Sequence, residues 1–481
     1  MMNLSEELKS PVFEKIGRAA AELNLKAYAI GGFVRDLILE RPSKDLDIVV
    51  IDEEKSHKNA GIDLARQLVE HHGAEKLSEY KTFGTAAITF EDWHVEFVVA
   101  RKESYSRHSR NPEIVPGTLE EDQLRRDFTV NALSIGLSEN DFGQVYDPFG
   151  GLGDMNMKVL KTPTDPQLTF SDDPLRMLRA IRFACQLDFE IDPKAYRAIE
   201  EQPERISIVA PERIVEELNK ILLCEEPSRG FILLEKTGLL ELILPELTAL
   251  RGVDEVEGQR HKDNFYHTLE VVDNISKNTH NVWLRWSALL HDIGKAPTKR
   301  FDQKVGWTFH AHEFKGSKMV KELFRRLRMP LNEKMKYVKK IVMLSSRPIA
   351  LANEGVTDSA VRRLLFDAGD DIDDLMTLCE ADITTKNDNR KNRYLANFAL
   401  VREKLKVVEE KDRIRNWQPP VTGDEIIQRY QLKPSKVVGE LKEAVKEAIL
   451  EGDIPNDRDS ALAFLDTAAK NKGIEFPPKS D

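Results

Sequence analysis

The sequence predicts a multidomain, mostly α protein: an N-terminal α/β head, a small mixed sheet with helices, followed by all-α domains. Short apolar runs of strand length, Ala27–Ile30, Leu46–Val50, Ala86–Phe90 and Val95–Ala100, occur early in the chain. Beyond them apolar side chains recur at helical spacing, as in Leu175, Leu178, Ile181 and Cys185. The 481 residues give room for roughly two to four domains with real cores. Turn-rich boundaries and shifts of pattern divide the chain into a head at 1–155, a neck at 156–250, a third domain at 251–395 and a helical tail at 396–481.

Composition narrows the function. With 41% hydrophobic and 32% charged residues, the chain reads as soluble and globular. No apolar run approaches the roughly 18 residues of a membrane helix, and MMNLSEELKS lacks a signal-peptide core, so a cytoplasmic protein with no membrane partner is expected. Cys185, Cys224 and Cys379 are too scattered for a zinc or disulfide framework and read as buried packing residues. A net charge of -11 argues against broad coating of nucleic acid, so any RNA contact must use a local basic surface.

The stretch Lys26–Asp52 organises the rest. Ala27–Ile30 stops at Gly31-Gly32, and Phe33–Glu40 then shows helical spacing, with Phe33, Leu37 and Ile38 on one side. Such a turn lets backbone approach a triphosphate closely, and Arg35 offers a fork of donors beside it. After the turn Arg41-Pro42-Ser43, Asp45 and Asp47 share one face of a second strand, while Leu46 and Ile48 face the core. Two carboxylates at that spacing repel unless a cation lies between them, and Mg²⁺ suits an all-oxygen pair. The chemistry is phosphoryl or nucleotidyl transfer.

Ala86–Phe90 and Val95–Ala100, joined at Glu91-Asp92-Trp93, read as a hairpin extending that sheet. Glu96 alternates with Val95 and Phe97, so it joins the aspartates and completes a set able to hold two metal ions. Ser104–Asp122 shows no period and reads as a mobile loop. Arg125-Arg126-Asp127 then opens an expected helix with Phe128, Ala132 and Leu133 inward. The arginines suit phosphates, and Asp127 suits a ribose hydroxyl.

In the neck, Asp173 reads as an N-cap with Pro174 at the first helical position. The helix LRMLRAIRFACQL carries Arg176, Arg179 and Arg182 as a second stripe. Cytosine and adenine each present an exocyclic amine beside a ring-nitrogen acceptor, whereas uracil and guanine present a carbonyl beside an N–H. An Asp acceptor near an Arg donor, Asp173 with Arg176, therefore matches C and A and mismatches U and G. A wrong base leaves polar groups unpaired, at roughly 1 to 3 kcal/mol each.

The ordered set GGFVRD, DLD, VEF, RRDFTVNAL and DDPLRMLRAIRF resembles the bacterial CCA-adding tRNA nucleotidyltransferase and poly(A) polymerase family, of the class II nucleotidyltransferase superfamily. The resemblance implies a nucleotidyltransferase head that adds C, C and A from CTP and ATP to the 3′ end of tRNA. It implies Asp45, Asp47 and Glu96 as catalytic metal ligands, and a nucleotide site formed by Gly31, Gly32, Arg35, Arg125, Arg126, Asp127, Asn131, Asp173, Arg176, Arg179 and Arg182. The family's base-reading helix usually begins Glu-Asp. Here Asp172 stands in place of that Glu, with a shorter reach toward the arginine. Relatives of the same family make poly(A) or add only CC or only A.

Six of the 11 histidines fall between His261 and His312. With His291-Asp292 at a helix end and His267 on the preceding helix, imidazole and carboxylate ligands for a transition metal or Mg²⁺ are expected. The pattern resembles the HD phosphohydrolase superfamily. That implies His267, His291, Asp292 and Asp382 as ligands, His310 and His312 as a second metal or phosphate site, and hydrolysis of phosphoesters such as 2′,3′-cyclic phosphates. An HD phosphohydrolase whose head merely recruits RNA is the rival reading of another class. In the tail, GDEIIQRY and KVVGELKEAVKEAIL read as two helices around Leu432–Ser435, resembling a segment that contacts tRNA in relatives, with Lys433, Lys436 and Lys442 as candidate phosphate contacts. The terminal NKGIEFPPKSD reads as frayed. No obligate protein partner is implied.

Overall fold

The computed structural model describes residues 2–81, 84–106, 109–256, 259–260, 263–354, 357–415 and 417–474. The chain forms two compact units, Met1–Ile221 with Arg229–Ile243, and Leu222–Ser228 with Leu244–Asp481. Head and neck residues thus share the first unit.

Nine strands precede residue 147: β1 Lys26–Ile30, β2 Asp45–Ile51, β3 Glu75–Tyr80, β4 Thr85–Phe90, β5 Trp93–Val99, β6 Arg101–Ser106, β7 Ser109–Pro116, β8 Ser134–Gly136 and β9 Val145–Tyr146. Seven of them form one mixed sheet in the order β3-β4-β5-β2-β1-β8-β9. Strand β2 runs parallel to β5 and antiparallel to β1. Its sequence explains the central place, because Ile48, Val49 and Val50 are all fully buried. The expected β4–β5 hairpin is present, closed by the Phe90–Trp93 pair.

Two local expectations are corrected. The stretch read as a mobile loop holds the antiparallel pair β6–β7, followed by the helix Leu119–Leu124 with a Thr118–Glu121 capping box. Residues 107–108 of that stretch lie outside the described residues. The helix expected across RRDFTVNAL is only a 3-10 turn, Thr129–Asn131, after which the chain enters β8 beside β1. Phe128, Ala132 and Leu133 are buried nonetheless. Asp127 takes the Phe128 N–H and the Asn131 side-chain amide on its own Oδ1, offering local bonds that compete with helix formation.

The neck helix spans Leu175–Leu187, one residue later than expected, and Asp173 Oδ1 still accepts the Leu175 N–H at 3.2 Å. It buries Met177, Leu178 and Ile181 and stops at Asp188, which is left-handed at φ 57°. Behind it lies the helix Pro211–Leu222, expected to serve packing.

The second unit is helical, with short hairpins. Helices Asn264–Ser276, Val282–Leu290 and Ile372–Ala381 supply the histidine and aspartate cluster. The two tail helices are Gly423–Tyr430 and Lys436–Glu451, joined by a further helix, Arg458–Asn471. One 25-residue helix, Asp388–Asp412, runs continuously through the boundary drawn at 395/396. The expected fraying at the C-terminus falls largely on 475–481, outside the described residues. Cys224 and Cys379 are buried as expected, and Cys185 is half-buried. Among the described residues no helix is long and apolar enough to cross a membrane.

Candidate active site and metal centre

Strand alternation places Asp45 and Asp47 outward on β2, with Leu46 and Ile48 inward. Glu96 on β5 sits in register beside Asp47, and His94 beside Asp45. The three carboxylates therefore share one face of the sheet, as the sequence predicted. Close surroundings push the Asp47 carboxyl above its usual range. Arg126 and Arg179 oppose that, while Glu96 and Asp45 add to it. A carboxylate whose charge is disfavoured first by desolvation and then by its acidic neighbours is one a hard cation relieves.

Beside it, Gly31 is left-handed at φ +78°. A Cβ there would stand 3.0 Å from Arg126 Nη1 and 3.6 Å from Asp47 Oδ2. The missing side chain is thus a notch between a cation and the carboxylates. Gly32 begins the helix Gly32–Ile38, whose buried residues are Phe33, Val34 and Arg35, with Leu37 and Ile38 only half-buried.

Arg35, expected beside the triphosphate, is engaged within the protein. It is buried, its Nε and Nη2 gripping Asp36 and its Nη1 donating to Asn131 Oδ1 at 2.7 Å. Its guanidinium also lies 4.9 Å from the Phe183 ring. Arg35 braces the turn from behind, and Asn131 is its acceptor.

Arg125 and Arg126 both grip Asp122, a fully buried carboxylate. Burial opposes its charge, yet Arg126 and Arg125 hold it below the usual range. Asp122 escaped the sequence reading because it was assigned to a loop. The signal was its spacing of three and four residues from the arginines. Asp127 is buried as well, its Oδ2 taking Arg179 Nε at 2.7 Å and Nη2 at 2.6 Å. Against burial, Arg179 and the Asn131 hydrogen bond hold its carboxyl at about 2. Both oxygens are engaged within the protein, Oδ1 with Phe128 and Asn131 and Oδ2 with Arg179.

The arginine stripe divides. Arg176 is half-buried and donates through Nη2 to the Arg125 carbonyl at 2.6 Å. Asp173 is half-buried, 3.8 Å from Arg213 Nη2, and makes no ion pair with Arg176 among the described residues. Asp172 has its carboxyl raised by burial, with Arg176 and Arg205 opposing. Arg182, expected at the nucleotide site, is buried and pairs with buried Glu217 Oε2 at 2.5 Å and with Gln186 at 2.8 Å. Phe183, which the sequence did not single out, meets Arg182 at 3.7 Å and Arg179 at 5.4 Å, and packs edge-on against Phe128.

In the second unit the four expected ligands converge. His267 Nε2 lies 2.8 Å from Asp382 Oδ1 and 3.8 Å from Asp292 Oδ2. His291 Nε2 lies 3.3 Å from Asp292 Oδ2 and 3.9 Å from Asp382 Oδ1. Each imidazole is fixed from behind, His267 Nδ1 by Thr384 Oγ1 at 3.0 Å and His291 Nδ1 by the Ala288 carbonyl at 2.7 Å, which turns both Nε2 atoms into the cluster. His291 Nε2 is buried and makes no hydrogen bond. Burial disfavours the His291 imidazolium, yet the Asp292 carboxylate raises it to about 9. His312 Nε2 reaches Asp292 Oδ1 at 3.5 Å, and Lys295 pairs with Asp292 at 2.6 Å. His310 is exposed, and His261 lies outside the described residues.

Family models described as the Poly A polymerase head domain, the probable RNA and SrmB-binding site of polymerase A, and the HD domain match residues 27–161, 188–250 and 264–386. An A-adding tRNA nucleotidyltransferase of Deinococcus radiodurans is 30% identical over 361 residues, covering 73% of this chain and 80% of that relative. The chain belongs to the tRNA nucleotidyltransferase and poly(A) polymerase family. It is a nucleotidyltransferase enzyme with an HD domain. A family member described as a multifunctional CCA protein, from Burkholderia pseudomallei, is 33% identical over 319 residues, covering 64% of this chain and 71% of its own. Two solved structures share the family fold. An apo form of a CCA-adding enzyme superposes with TM-score 0.63 at 22% identity, covering 96% of both chains. The Thermotoga maritima CCA-adding enzyme complexed with tRNA gives 0.59 at 20% identity, covering 97% of this chain and 100% of that one.

Proposed function

We propose that the chain builds or repairs the 3′ end of tRNA by adding C, C and A from CTP and ATP, without a nucleic-acid template. In each step the RNA 3′ oxygen bonds to the α-phosphorus of the incoming nucleotide, and the bond to the β-phosphate oxygen breaks, releasing pyrophosphate. Asp45, Asp47 and Glu96 would hold Mg²⁺, and the ion would supply charge neutralisation for the triphosphate and a lowered pKa for the attacking hydroxyl. The notch at Gly31, with Gly32 and Arg126, receives the triphosphate. Arg125, Asp127 and Asn131 shape the wall on which the sugar rests, and Arg35 braces it. Asp173 accepts the exocyclic amine of C or A while Arg176 donates to the ring nitrogen.

One observation carries this reading. Arg176, on the base-reading helix, is hydrogen bonded to the backbone of Arg125, whose neighbour Arg126 overhangs Gly31 and acts on Asp47. A protein-made pairing edge is thereby tied to the carboxylate face. The Burkholderia and Thermotoga relatives, named for CCA, favour the full reaction. The test is extension of tRNA ending at the discriminator base, with each nucleotide supplied singly and then together. Two additions dependent on CTP followed by one dependent on ATP are expected. Growth with ATP alone on tRNA already ending in CC, and none with CTP, would make it an A-adding enzyme, and a long A tract would make it a poly(A) polymerase.

The second unit supports a separate metal-dependent phosphohydrolase centre. His267, His291, Asp292 and Asp382 form a mixed nitrogen and oxygen set suited to a transition metal or Mg²⁺, and the orphaned His291 Nε2 aimed among carboxylates fits such an ion. A cytoplasmic location accords with tRNA as substrate.

A further inference from the structure

The 25-residue helix Asp388–Asp412 carries apolar side chains on two opposite sides. One side packs inward, with Phe398, Val401, Leu405 and Val408 buried. On the other, Asn389, Arg393, Ala396, Leu400, Glu403 and Val407 are all exposed, Leu400 at 60% and Val407 at 52%. Their separations alternate between four and three residues without a break, the spacing of a seam that another helix covers. The charges of the helix divide in the same way. Arg402 pairs with Glu380, Lys404 with Asp358 and Asp412 with Arg362, each at 2.6 Å. Arg393, 5.6 Å from the Tyr394 ring, and Glu403 have no ionic partner among the described residues. They stand about 15 Å apart along the axis at 1.5 Å per residue, too far to meet each other.

We infer that a second copy of this chain covers the seam, the two helices running antiparallel about a twofold axis. Setting Ala396 opposite Leu400 of the second copy, small against large, fixes every other level, because a step forward on one helix is a step back on the other. Arg393 then faces Glu403 of the second copy, Asn389 lies level with Val407, and the twofold axis repeats each pair. A parallel arrangement would instead stack Arg393 on Arg393 and Glu403 on Glu403. Exposed ion pairs add little energy, so these two select partner and direction, while Ala396, Leu400 and Val407 supply the apolar contact. A helix about 37 Å long and about 10 Å wide offers about 370 Å² per copy, under half of the roughly 800 Å² per partner of a stable interface. The dimer is therefore weak and reversible, with a Kd of roughly 10 to 100 µM.

Sedimentation velocity of the full chain from about 2 to about 200 µM tests the assignment in the parent, Arg393→Glu, Glu403→Arg and an equimolar mixture of the two variants. The parent should pass from monomer to dimer across that range. Each variant alone sets like charges against each other at both levels and should associate about tenfold more weakly. In the mixed pair one level joins the two introduced charges and the other the two native ones, so the mixture should associate as the parent does. That recovery also shows that both variants are folded. Leu400→Asp, which places a carboxylate at the apolar level, should remain monomeric throughout. A parent that stays monomeric at the highest concentration, variants that associate as the parent does, or a mixture no better than its components overturns the proposal. So does a monomeric parent in which bound tRNA slows hydrogen exchange across 388–412, a result that assigns the face to RNA.

Discussion

Replacing Glu217 with Leu isolates the role of Arg182. Both side chains are buried, Arg182 at 6% and Glu217 at 3% exposure, and they meet at 2.5 Å. Removing one partner of such a pair strands the other charge, at a cost of about 3 to 5 kcal/mol. Gln186 still accepts from Arg182, so the lower end, about 3 kcal/mol, is expected, a change of over a hundredfold in the folding equilibrium. The double variant Arg182→Met with Glu217→Leu removes both charges together and should recover most of that loss. Urea denaturation followed by far-UV circular dichroism, with hydrogen exchange of the 175–187 segment, measures both variants. Arg182 and Lys220 hold the Glu217 carboxyl below its ordinary range against burial. Its contribution is therefore complete above the ordinary carboxylate pKa of about 4.3 and is lost as pH falls through the lower folded value. A double variant that folds well yet fails to use CTP and ATP would refute the packing role and return Arg182 to the nucleotide site.

Gly31→Ala places a Cβ in the left-handed region and against Arg126, so it should cost about 1 to 2 kcal/mol and raise KM for CTP and ATP together in steady-state extension; an effect on one nucleotide alone contradicts a shared triphosphate notch. Asp173→Ala should reduce discrimination of CTP against UTP by roughly tenfold or more, read from competition assays on tRNA primers, and unchanged selectivity would place base reading elsewhere. His291→Ala should lose bound Mn²⁺ from the second unit, by metal analysis, while leaving tRNA extension intact. The Asp127 carboxyl, held at about 2, contributes stability that is complete above about 3.9 and lost as pH falls toward 2, so the acid limb of first-unit unfolding should be shallower in Asp127→Asn.

The carboxylate face was legible because a period of two needs only the strand itself. Asp45, Asp47 and Glu96 alternate with Leu46, Ile48, Val95 and Phe97, and any sheet that buries the apolar set exposes the acidic one. The convergence of His267, His291, Asp292 and Asp382 was expected from the resemblance, since the three helices that bring them together are far apart in sequence. What failed were partners distant in sequence. Arg35 and Arg182 have partners near them in sequence, Asp36 and Gln186, but nothing local reveals that Asn131, 96 residues away, and Glu217, 35 away, also engage them. The helix expected through Phe128 failed for a different reason: Asp127 and Asn131 offered side-chain bonds that a 3-10 turn uses better than an α-helix does. The boundary at 395/396 fell within a helix whose surface is largely charged and marks no break in pattern.

Selecting a base without a template demands that the reading edge hold its distance from the site of bond formation. Cytosine and adenine present the same donor and acceptor order, so the Asp173 and Arg176 edge excludes U and G but does not by itself separate C from A. That second choice must come from how far the base edge lies from the sugar, since a purine reaches further than a pyrimidine. On the proposed reading the distance is set where the neck helix meets the head motif, by Arg176 donating to the Arg125 carbonyl and by Arg179 donating twice to Asp127 Oδ2. Phe183, between the guanidinium of Arg182 and the edge of Phe128, makes that junction resistant to sliding. On the proposed reading, the residues that fix the gap are the ones the sequence offered as ligands, and they choose between C and A by position.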